Sequence, residues 1–381
     1  MVVLLSVSLP LGAQAPDLHH IYAHPPVQVV SLLSPSTPIG ILPVQFKAAY
    51  GFNRIPNQGL GQTIALVNAY DDPNIASDLA FYANYFHLSP CNFQKVKLGN
   101  PQQDSGWGLE ITVDVEQACA LAPQANIILV EANSDSLSDL FDAVAVASSA
   151  PYNATVVSMS WGLNEFAGEQ QYDGYFCNIL NGNSQPVTFV ASTGDCGQLL
   201  YPSTSSCVVA VGGTTLALSS ATPLSNPLQL DYGSESAFGG GGVSSFESQP
   251  PWQNPACSQY STTNRCVPDV ASAAFPGFPV YDTFGYGGWV EVAGTSVGAP
   301  GWASFFTLVN SLRASQREST LSQASRDLYD IYYSSDYATD FHNITSGGGG
   351  ECQAGPGYDL ATGIGSYQAN NLYFPLVADL N

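Results

Sequence analysis

Short apolar runs that alternate with helix-like segments constrain the fold of this chain more than any other feature of its sequence. Runs typical of buried strands occupy residues 63–67, 126–130, 155–159 and 187–190. Helix-like segments lie between them, at residues 75–86 and 137–147. Strands that are apolar throughout and are separated by helices are typical of parallel βαβ units. The pattern therefore predicts an α/β fold with a mostly parallel central sheet and helices on both faces.

The charge balance limits the partners that the chain can bind. It contains 8 Lys+Arg and 30 Asp+Glu, a formal net charge of −22 at pH 7, and 45% of its residues are apolar. Nucleic acids and anionic membranes both require clusters of Lys or Arg, so we expect neither as a partner. The apolar content is sufficient for a sizeable core. We expect a soluble monomer suited to acidic surroundings, where protonation reduces the repulsion among carboxylates.

The N-terminus predicts export. Residues 1–15 are apolar, lack the usual basic start and end in Ala13-Gln14-Ala15, which is typical of a signal-peptide cleavage site. The run is too short to span a bilayer, and a buried N-terminal segment is the alternative. Residues 16–41, rich in Pro, His and Ser, are interpreted as a loose lead-in, and residues 42–381 as one large domain. We therefore expect a secreted protein.

Eight cysteines fit an oxidising, extracellular environment. Cys196 and Cys207 flank a turn-rich segment, as do Cys257 and Cys266, and these two pairs are the predicted disulfides. The sequence assigns no partners to Cys91, Cys119, Cys177 and Cys352. A metal site is the competing interpretation, but no Cys-x-x-Cys pair or Cys/His cluster in the sequence supports it.

Ser296 lies between small residues, in Ala293-Gly-Thr-Ser296-Val-Gly-Ala-Pro300, ahead of a helix-like segment at 302–312. Backbone N–H groups at a helix N-terminus can hold a developing oxyanion, so Ser296 is a candidate nucleophile. A helix-capping serine is the common alternative. A serine nucleophile needs a base, but no histidine has the setting of a triad histidine among His19, His20, His24, His87 and His342. A carboxylate would therefore have to act as the base.

Two acidic residues, Glu110 and Asp114, offer such a base. On a helix, residues four apart share a face, and two carboxylates held so closely would share one proton in the acidic range. The β-branched residues between them equally favour a strand, in which the pair would lie roughly 13 Å apart at about 3.3 Å per residue. An acidic pair on a solvated helix face is a further alternative. Their role therefore depends on the structure of this segment.

Asp195 follows the last of the four apolar runs, in Ser192-Thr-Gly-Asp195-Cys-Gly197. Active sites of open α/β sheets collect at the carboxyl ends of strands. A protonated carboxyl group can donate a hydrogen bond to an oxyanion. Asp195 is therefore a candidate oxyanion-binding residue, and an Asp-Gly turn is the alternative.

Together these segments resemble the sedolisins, the serine-carboxyl peptidases, over residues 42–366. The motifs that carry the resemblance are Glu110-x-x-x-Asp114, Ser192-Thr-Gly-Asp195, Gly294-Thr-Ser296-x-x-Ala-Pro300 and Ala354-Gly-Pro-Gly-Tyr-Asp359-Leu-Ala-Thr-Gly-Ile-Gly365. Each motif is weak alone, but their order and joint presence make the match specific. The resemblance implies a subtilisin-like α/β fold and an acid endopeptidase or tripeptidyl-peptidase acting on proteins or peptides.

The resemblance also implies roles for the serine and the acidic residues. The nucleophile would be Ser296 and the general base Glu110. Asp114 would orient Glu110 and share its proton, and Asp195 would be the oxyanion-hole carboxylic acid. Subtilisins proper use a His as base and an Asn in the oxyanion hole, which separates the two families here. Ser160-Trp161-Gly162 would bind substrate, with a buried core tryptophan as the alternative.

The C-terminal motif is similar to the family's calcium site, so Ca²⁺ is the expected cofactor. Oxygen ligands from a Gly-rich loop suit this ion. The expected ligands are Asn343, Ile344, Gly355, Gly357 and Asp359. Asn343 stands where the family has an Asp, so we expect weaker binding or help from Asp340. Asn343 and Asn153 also begin glycosylation sequons.

Two further features depart from the family pattern. Members are usually made with a long pro-segment, which does not fit within residues 16–41, and they tend to carry an acidic residue where this chain has Asn68. These departures motivate a second hypothesis, a catalytically silent scaffold that binds protein or glycan in the same cleft. A third hypothesis is a subtilisin-type peptidase with His87 or His342 as its base.

Overall fold

The computed structural model describes residues 16–32, 37–194, 198–219, 232–348 and 353–378. The α-helices of these residues are α1 (Pro43–Tyr50), α2 (Ile75–Tyr85), α3 (Ser105–Leu121), α4 (Leu137–Ser148), α5 (Gly298–Ser315), α6 (Ala324–Tyr332), α7 (Tyr337–Asp340) and α8 (Ala369–Val377). The strands are β1 (Gln28–Leu32), β2 (Thr63–Ala69), β3 (Asn92–Lys97), β4 (Asn126–Ala132), β5 (Val156–Met159), β6 (Leu163–Asn164), β7 (Thr188–Ser192), β8 (Leu200–Tyr201), β9 (Val208–Leu218), β10 (Tyr232–Ala237), β11 (Gly242–Ser248), β12 (Asn264–Val267), β13 (Val270–Phe275), β14 (Phe278–Asp282), β15 (Gly288–Ala293), β16 (Phe341–His342) and β17 (Ser366–Tyr367).

A ten-stranded sheet forms the centre of the described structure. Nine strands follow the order β16-β17-β13-β9-β7-β5-β2-β4-β3, and β10 also pairs with β9. Neighbours pair in parallel except for β16 with β17 and β10 with β9. The predicted mostly parallel sheet is therefore confirmed, and the four apolar runs form β2, β4, β5 and β7.

Two apolar clusters cover the two faces of this sheet. In β2, Ile64 and Leu66 pack into the first cluster, whereas Ala65 and Val67 pack into the second. Successive side chains of a strand point to opposite faces, so the clusters lie on opposite sides. Helices α2, α3 and α5 contribute to the first cluster and α4 to the second. Helices thus lie on both faces, as the sequence predicted.

Whether Glu110 and Asp114 share a face depends on the conformation of their segment, which forms helix α3. The Asp104 carboxylate caps its N-terminus and accepts the N–H groups of Gly106 and Trp107, each at 2.9 Å. Every residue from Trp107 to Leu121 is buried. This cap and the burial of every face outweigh the strand preference of the β-branched residues 111–113. The segment is a helix, and residues four apart on it lie one above the other.

The disulfides revise part of the predicted pairing. Cys257 and Cys266 are bonded, as predicted. Cys207 bonds to Cys177, with Cα atoms 5.1 Å apart, so the predicted bond to Cys196 is wrong. A third disulfide joins Cys91, just before β3, to Cys119 in α3. Cys196 and Cys352 themselves lie outside the described residues.

Packing explains why Cys207 bonds to a distant cysteine. Phe176 lies against Phe189 of β7 and Tyr201 of β8, with ring centroids 5.5 and 6.2 Å apart. These contacts bring the next residue, Cys177, beside the start of β9. Nearness along the sequence was therefore a poor guide to nearness in space.

The predicted loose lead-in, residues 16–41, contains an ordered strand. Strand β1 pairs antiparallel with β15, which pairs on its other side with β14. Isolated bridges join Tyr22 to Ser136 and His24 to Gly162. Prolines disfavour a strand locally, so the sequence does not indicate this arrangement. The segment is ordered by pairing with residues that are distant in the chain. The interpretation of residues 16–32 as loose is therefore wrong.

The expected signal peptide, residues 1–15, lies outside the described residues. In the part of the chain that the structure describes, none of the helices combines the length and the apolar character that a membrane span requires.

Candidate active site

Glu110 and Asp114 lie one turn apart on α3, and both side chains are fully buried. Burial raises the pKa of Asp114 to about 7. Burial also raises the pKa of Glu110 well above its ordinary value, and the nearby charge of Asp114 adds to this effect. Since neither carboxylate is solvated, the pair holds at least one proton through the acidic range. The solvated-face alternative does not fit this position.

Two donors hold the oxygens of Asp114. The Ser160 hydroxyl donates to Oδ1 at 2.6 Å, and the Asn68 amide Nδ2 donates to Oδ2 at 2.8 Å. Both bonds favour the ionised form of Asp114 and lower its pKa against the effect of burial. The Ser160 oxygen also lies 3.4 Å from the backbone carbonyl oxygen of Ser296. Ser160, which follows β5, therefore links the acidic pair to the candidate nucleophile.

Ser296 lies in a 3-10 turn, Thr295–Val297, directly before α5. Its hydroxyl is buried and has no hydrogen-bond partner among the described residues. Helix α5 has no side-chain cap, so the capping alternative does not apply. The hydroxyl is close enough to lower the pKa of Glu110, although the two groups form no hydrogen bond of normal length. Ser296 and Glu110 therefore lie beside each other, and neither side chain has a hydrogen-bond partner of normal length among the described residues.

Gly194, the residue before Asp195, lies next to the turn that carries the nucleophile. The backbone N–H of Gly194 donates to the Thr295 hydroxyl at 3.1 Å, and the carbonyl of Gly194 accepts the N–H of Gly240 at 2.8 Å. Asp195 itself lies outside the described residues. The backbone that precedes Asp195 is therefore held beside Thr295, the residue before Ser296.

The predicted substrate-binding segment divides into a core residue and a pairing residue. Trp161 is fully buried in the second apolar cluster, and its indole N–H donates to the Val67 carbonyl at 2.8 Å. Gly162 exchanges two backbone hydrogen bonds with His24, at 3.0 and 3.2 Å. The backbone at residue 162 therefore binds an extended strand, while the Trp161 side chain supports it from within the core.

That extended strand belongs to the chain's own N-terminus, and we refer to residues 21–32 as the strap. Its first part lies between two segments: Ala23 donates to the Asp135 carbonyl at 2.9 Å, and Ile21 accepts from the Leu137 N–H at 2.9 Å. Its second part is β1, whose first residue, Gln28, pairs with Ala293 three residues before Ser296. The strap thus crosses the candidate active site from one side to the other.

The histidines lie away from this constellation. In the described residues no histidine forms a hydrogen bond or ion pair with Ser296 or Glu110. His342 stacks on Tyr232, with parallel rings 3.6 Å apart, and burial lowers the pKa of its imidazole to about 4. His87 ends α2. The structure therefore gives no support to a histidine base.

The predicted calcium ligands meet at one loop, where hydrogen bonds engage the side-chain oxygens of Asp359 and Asn343. Asp359 Oδ1 accepts from the Thr362 N–H at 2.7 Å, and Oδ2 accepts from the Gly355 N–H at 3.0 Å. Asn343 Oδ1 accepts from the Gly357 N–H at 3.2 Å. Ile344 is buried, and no group of three or more His, Cys, Asp or Glu suited to a metal occurs in the described ranges. The side-chain oxygens of the donor set are thus already engaged within the loop, and calcium binding there stays a prediction.

A cavity of about 690 Å³ lies at the opposite end of the sheet. It is lined by the first residues of three strands, Thr63, Asn92 and Asn126, and by Asn153 and Asn181. The acidic pair and Ser296 are not part of it. The strap instead passes beside the turn that leads into Ser296, since a Cβ built on Gly294 would collide with the Pro26 carbonyl oxygen.

Sequence reasoning missed three contributors to the site. The prolines of the strap gave no indication of a strand. The hydrogen bond from Ser160 to Asp114 depends on a contact between segments that are distant in the sequence. Asn68 was noted only as a departure from a family pattern. The sequence does indicate its position, because Asn68 is a polar residue near the carboxyl end of the apolar run that forms β2, and active sites collect at that end of the sheet.

Comparisons with known proteins agree with this geometry. A protein-family model for the subtilase family matches residues 101–329. Kumamolisin of Bacillus sp. (strain MN-32) is 28% identical over 362 residues, covering 87% of this chain and 62% of the relative. Sedolisin of Pseudomonas sp. (strain 101) is 25% identical over 384 residues, covering 90% and 63%. Tripeptidyl-peptidase 1 of Dictyostelium discoideum is 25% identical over 333 residues, covering 80% and 53%.

A solved structure shares the fold. It is that of Pseudomonas sedolisin, a serine-carboxyl proteinase, complexed with two molecules of pseudo-iodotyrostatin, with a TM-score of 0.71 and 22% identity. The match covers 90% of this chain and 100% of the solved chain. By contrast, the chain spans less than two thirds of the full length of the curated relatives above.

Proposed function

The chain belongs to the subtilase family and is similar within it to the sedolisins, and on this premise we propose that it is a serine-carboxyl peptidase that cleaves proteins in acid. One observation carries the proposal. The buried Ser296 hydroxyl has no partner among the described residues and lies beside Glu110, whose neighbour on α3 is Asp114. A nucleophile and a base that face each other without other bonds are arranged to react with a third group.

The first chemical step forms an acyl-enzyme. Glu110, ionised, takes the proton of the Ser296 hydroxyl as Oγ attacks the carbonyl carbon of the substrate. The same proton passes to the amide nitrogen as the carbon–nitrogen bond breaks and the amine leaves. Asp114, which is fixed by Ser160 and Asn68, orients Glu110 and shares the proton of the pair with it.

The second step hydrolyses the ester. Glu110 takes a proton from water, whose oxygen attacks the acyl carbon, and Ser296 leaves with the proton restored. In both steps Asp195, as a neutral carboxylic acid, would donate a hydrogen bond to the developing oxyanion. Its neighbour Gly194 is bonded to Thr295, which supports this role.

This chemistry needs acid for two reasons. Asp195 must carry a proton to donate, and the buried pair is stable with one proton rather than two charges. Activity therefore falls as the pH rises through the ionisation of these groups. It also falls in strong acid, where Glu110 can no longer act as a base.

The cleft favours an endopeptidase over a tripeptidyl-peptidase. The strap continues upstream of Pro26 as far as Ile21, five residues before it, and Ile21 still accepts a backbone hydrogen bond from Leu137. A site that removes tripeptides has to end about three residues before the bond that it cleaves. We therefore propose internal cleavage of extended substrates. Three disulfides in the described residues support secretion, because such bonds persist in oxidising compartments.

The test is the hydrolysis of denatured haemoglobin or casein near pH 4 by wild type and Ser296→Ala. We expect the variant to lose at least about 10³-fold in activity. Ser304→Ala is a matched control, because Ser304 is another buried serine of this region whose hydroxyl has no described partner. Mass spectrometry of the same digest should show internal cleavage. Full activity of Ser296→Ala would end the assignment, and products confined to N-terminal tripeptides would end the endopeptidase proposal.

The silent-scaffold hypothesis makes the opposite prediction for covalent labelling. A peptide aldehyde or fluorophosphonate at acidic pH should label Ser296 if Glu110 activates it. A scaffold that only binds would leave Ser296 unlabelled while still retaining peptide. The Ser304→Ala variant should label like wild type in either case.

A further inference from the structure

The cavity at the amino-terminal ends of the central strands is lined mainly by uncharged polar side chains. Eight of its lining residues are Asn or Gln and three are Thr, whereas Glu318 is the only charged one among the described residues. Its volume of about 690 Å³ falls within the roughly 300–1,000 Å³ that is usual for small-ligand sites. We refer to this cavity, which Gln62, Asn92, Tyr152 and Gln185 help to line, as the amide cleft.

Hydrogen bonds within the protein orient two of the glutamines. The Oε1 atom of Gln62 accepts from the Thr155 hydroxyl at 3.0 Å, and the Oε1 atom of Gln185 accepts from the Thr320 N–H at 3.3 Å. Because the oxygen of each amide is engaged, its Nε2 group is the free end, and neither Nε2 group has a partner among the described residues. The amide cleft therefore presents two oriented hydrogen-bond donors.

Asn92 supplies an acceptor. Its Nδ2 group donates to Asn126 Oδ1 at 2.6 Å, and Asn126 donates onward to the Thr63 hydroxyl at 3.3 Å, which leaves Asn92 Oδ1 able to accept. Asn181 Oδ1 accepts the N–H of Gln185 at 3.0 Å and holds the loop before β7 in place. A fixed, uncharged wall that both donates and accepts suits a neutral ligand whose own groups do both, as every sugar hydroxyl does.

Two neighbouring residues also suit a sugar. Tyr152 is half-buried and packs against the second apolar cluster, so the cleft contains an aromatic ring beside its amides. An aromatic side chain offers an apolar surface to the C–H groups of a sugar ring. Asn153, which begins a glycosylation sequon, lines the same cleft. A saccharide can therefore reach the cleft from solution or from the chain itself.

We propose that the amide cleft binds neutral saccharides, at the end of the sheet opposite to Ser296. A peptide is the less suitable occupant, because peptide sites depend on apolar or charged side-chain pockets and the amides dominate here. The proposal goes beyond the peptidase function and does not depend on it. A saccharide site in this place would hold the enzyme on glycosylated or polysaccharide-bound material and leave the active site open to substrate.

The test is isothermal titration of the full-length protein, made without N-glycosylation, with maltotriose, cellotriose and triacetylchitotriose. We expect at least one of these to bind with a Kd on the order of 1 mM. Gln62→Glu and Gln185→Glu keep the engaged oxygen but replace the donor with an acceptor, so each should weaken binding about tenfold. Gln103→Glu adds the same charge at an exposed side chain beside Asp71, at the other end of the sheet, and should bind like wild type.

The Tm of each variant shows whether it is folded. Gln185 is only half-buried, so Gln185→Glu tests the cleft even if Gln62→Glu does not fold. No binding of any of the three trisaccharides below about 10 mM would overturn the proposal. Binding that the folded glutamate variants leave unchanged would also overturn it, as would tighter binding of the neutral peptide acetyl-Gly-Ser-Gly-Ser-amide. None of these results would affect the peptidase function, because titration measures binding alone.

A second preparation distinguishes the two sources of saccharide. Protein from a host that N-glycosylates, with the glycan on Asn153 confirmed by mass spectrometry, is titrated with the trisaccharide that binds best. Binding that is at least about tenfold weaker than to the unglycosylated protein would show that the attached glycan occupies the cleft. Equal binding would show that the cleft takes its saccharide from solution.

Discussion

At the scale of single residues, Asn68 sets the protonation of the acidic pair. Its amide nitrogen can only donate, so the bond to Asp114 Oδ2 favours the ionised form of that carboxyl group. Ser160 acts in the same direction on Oδ1. The two bonds partly offset the burial that raises the pKa of Asp114. A chain with an acidic residue at 68 would carry a third carboxyl group here instead.

Asn68→Asp should therefore move the pH profile. The substitution removes a donor that lowers the pKa of Asp114 and adds a like charge beside it, so the pKa of the pair rises. Glu110 must be ionised to act as a base, and we expect the acid limb of kcat/KM against pH to move upward by about one unit. Asn310→Asp is the matched control, because Asn310 is buried in α5 and outside the site. An unmoved acid limb in Asn68→Asp would show that Asn68 does not tune the pair.

Single residues also show what the sequence could and could not predict. Glu110, Asp114 and Ser296 were identified because their motifs are local. Their chemistry depended on a helix that residues 111–113 do not favour by themselves, and only burial within the fold decided it. The Ser160 bond joins the end of β5 to α3, so no local pattern could reveal it.

At the scale of elements, the C-terminal loop is closed by its own hydrogen bonds. Asp359 accepts backbone N–H groups on both oxygens, and Asn343 accepts the Gly357 N–H. A calcium ion would have to share these oxygens with the Gly355 and Gly357 donors. The loop therefore needs no metal to satisfy its polar groups.

We expect the thermal midpoint of unfolding to be independent of calcium. Addition of millimolar CaCl₂ or of excess EDTA should leave the Tm unchanged within the error of scanning calorimetry, because a ligand stabilises only the states that it binds. Asn343→Asp restores the charge that the family places there and should make the Tm rise with calcium. A calcium-dependent Tm in the wild type would contradict the hydrogen-bonded loop.

The elements that the sequence missed share one physical cause. β1 and the bond from Cys177 to Cys207 are both made by segments far apart in the chain. The strands β2, β4, β5 and β7 were predicted because each carries its own apolar run. β1 is flanked by prolines and finds its partner more than 250 residues away along the numbering, in β15. Local preference cannot report such pairing.

At the scale of the whole molecule, buried carboxyl groups make the free energy of unfolding depend on pH. Burial raises the pKa of Asp72 to about 6, of Glu131 to about 7, and of Glu169 and Glu247 to about 8. In the unfolded chain these groups ionise near pH 4. The folded protein therefore holds more protons than the unfolded chain between about pH 4 and pH 8, and its stability falls as the pH rises through this interval.

Thermal unfolding should show this dependence directly. We expect the Tm to be highest near pH 4 and to fall by roughly 5–10 °C by pH 8. Glu169→Gln removes one of the titrating groups, which lies next to Glu165, and should make the fall smaller. Asp142→Asn, on α4, is the control, because the Asp142 side chain is exposed, and its curve should follow the wild type. A Tm that rises from pH 4 to pH 8 would contradict the buried-carboxyl argument.

The pairing of the strap with β15 also affects whether molecules can associate with one another. Departure of the strap would uncover one long side of β15, whose backbone N–H and C=O groups β1 now satisfies. All six residues of β15 are buried in the present arrangement, from Gly288 to Ala293. An unpaired strand edge of this kind accepts any extended chain, including the same edge of a second molecule. The pairing of β1 with β15 therefore protects the molecule from edge-to-edge association, and loss of this pairing should lower its solubility.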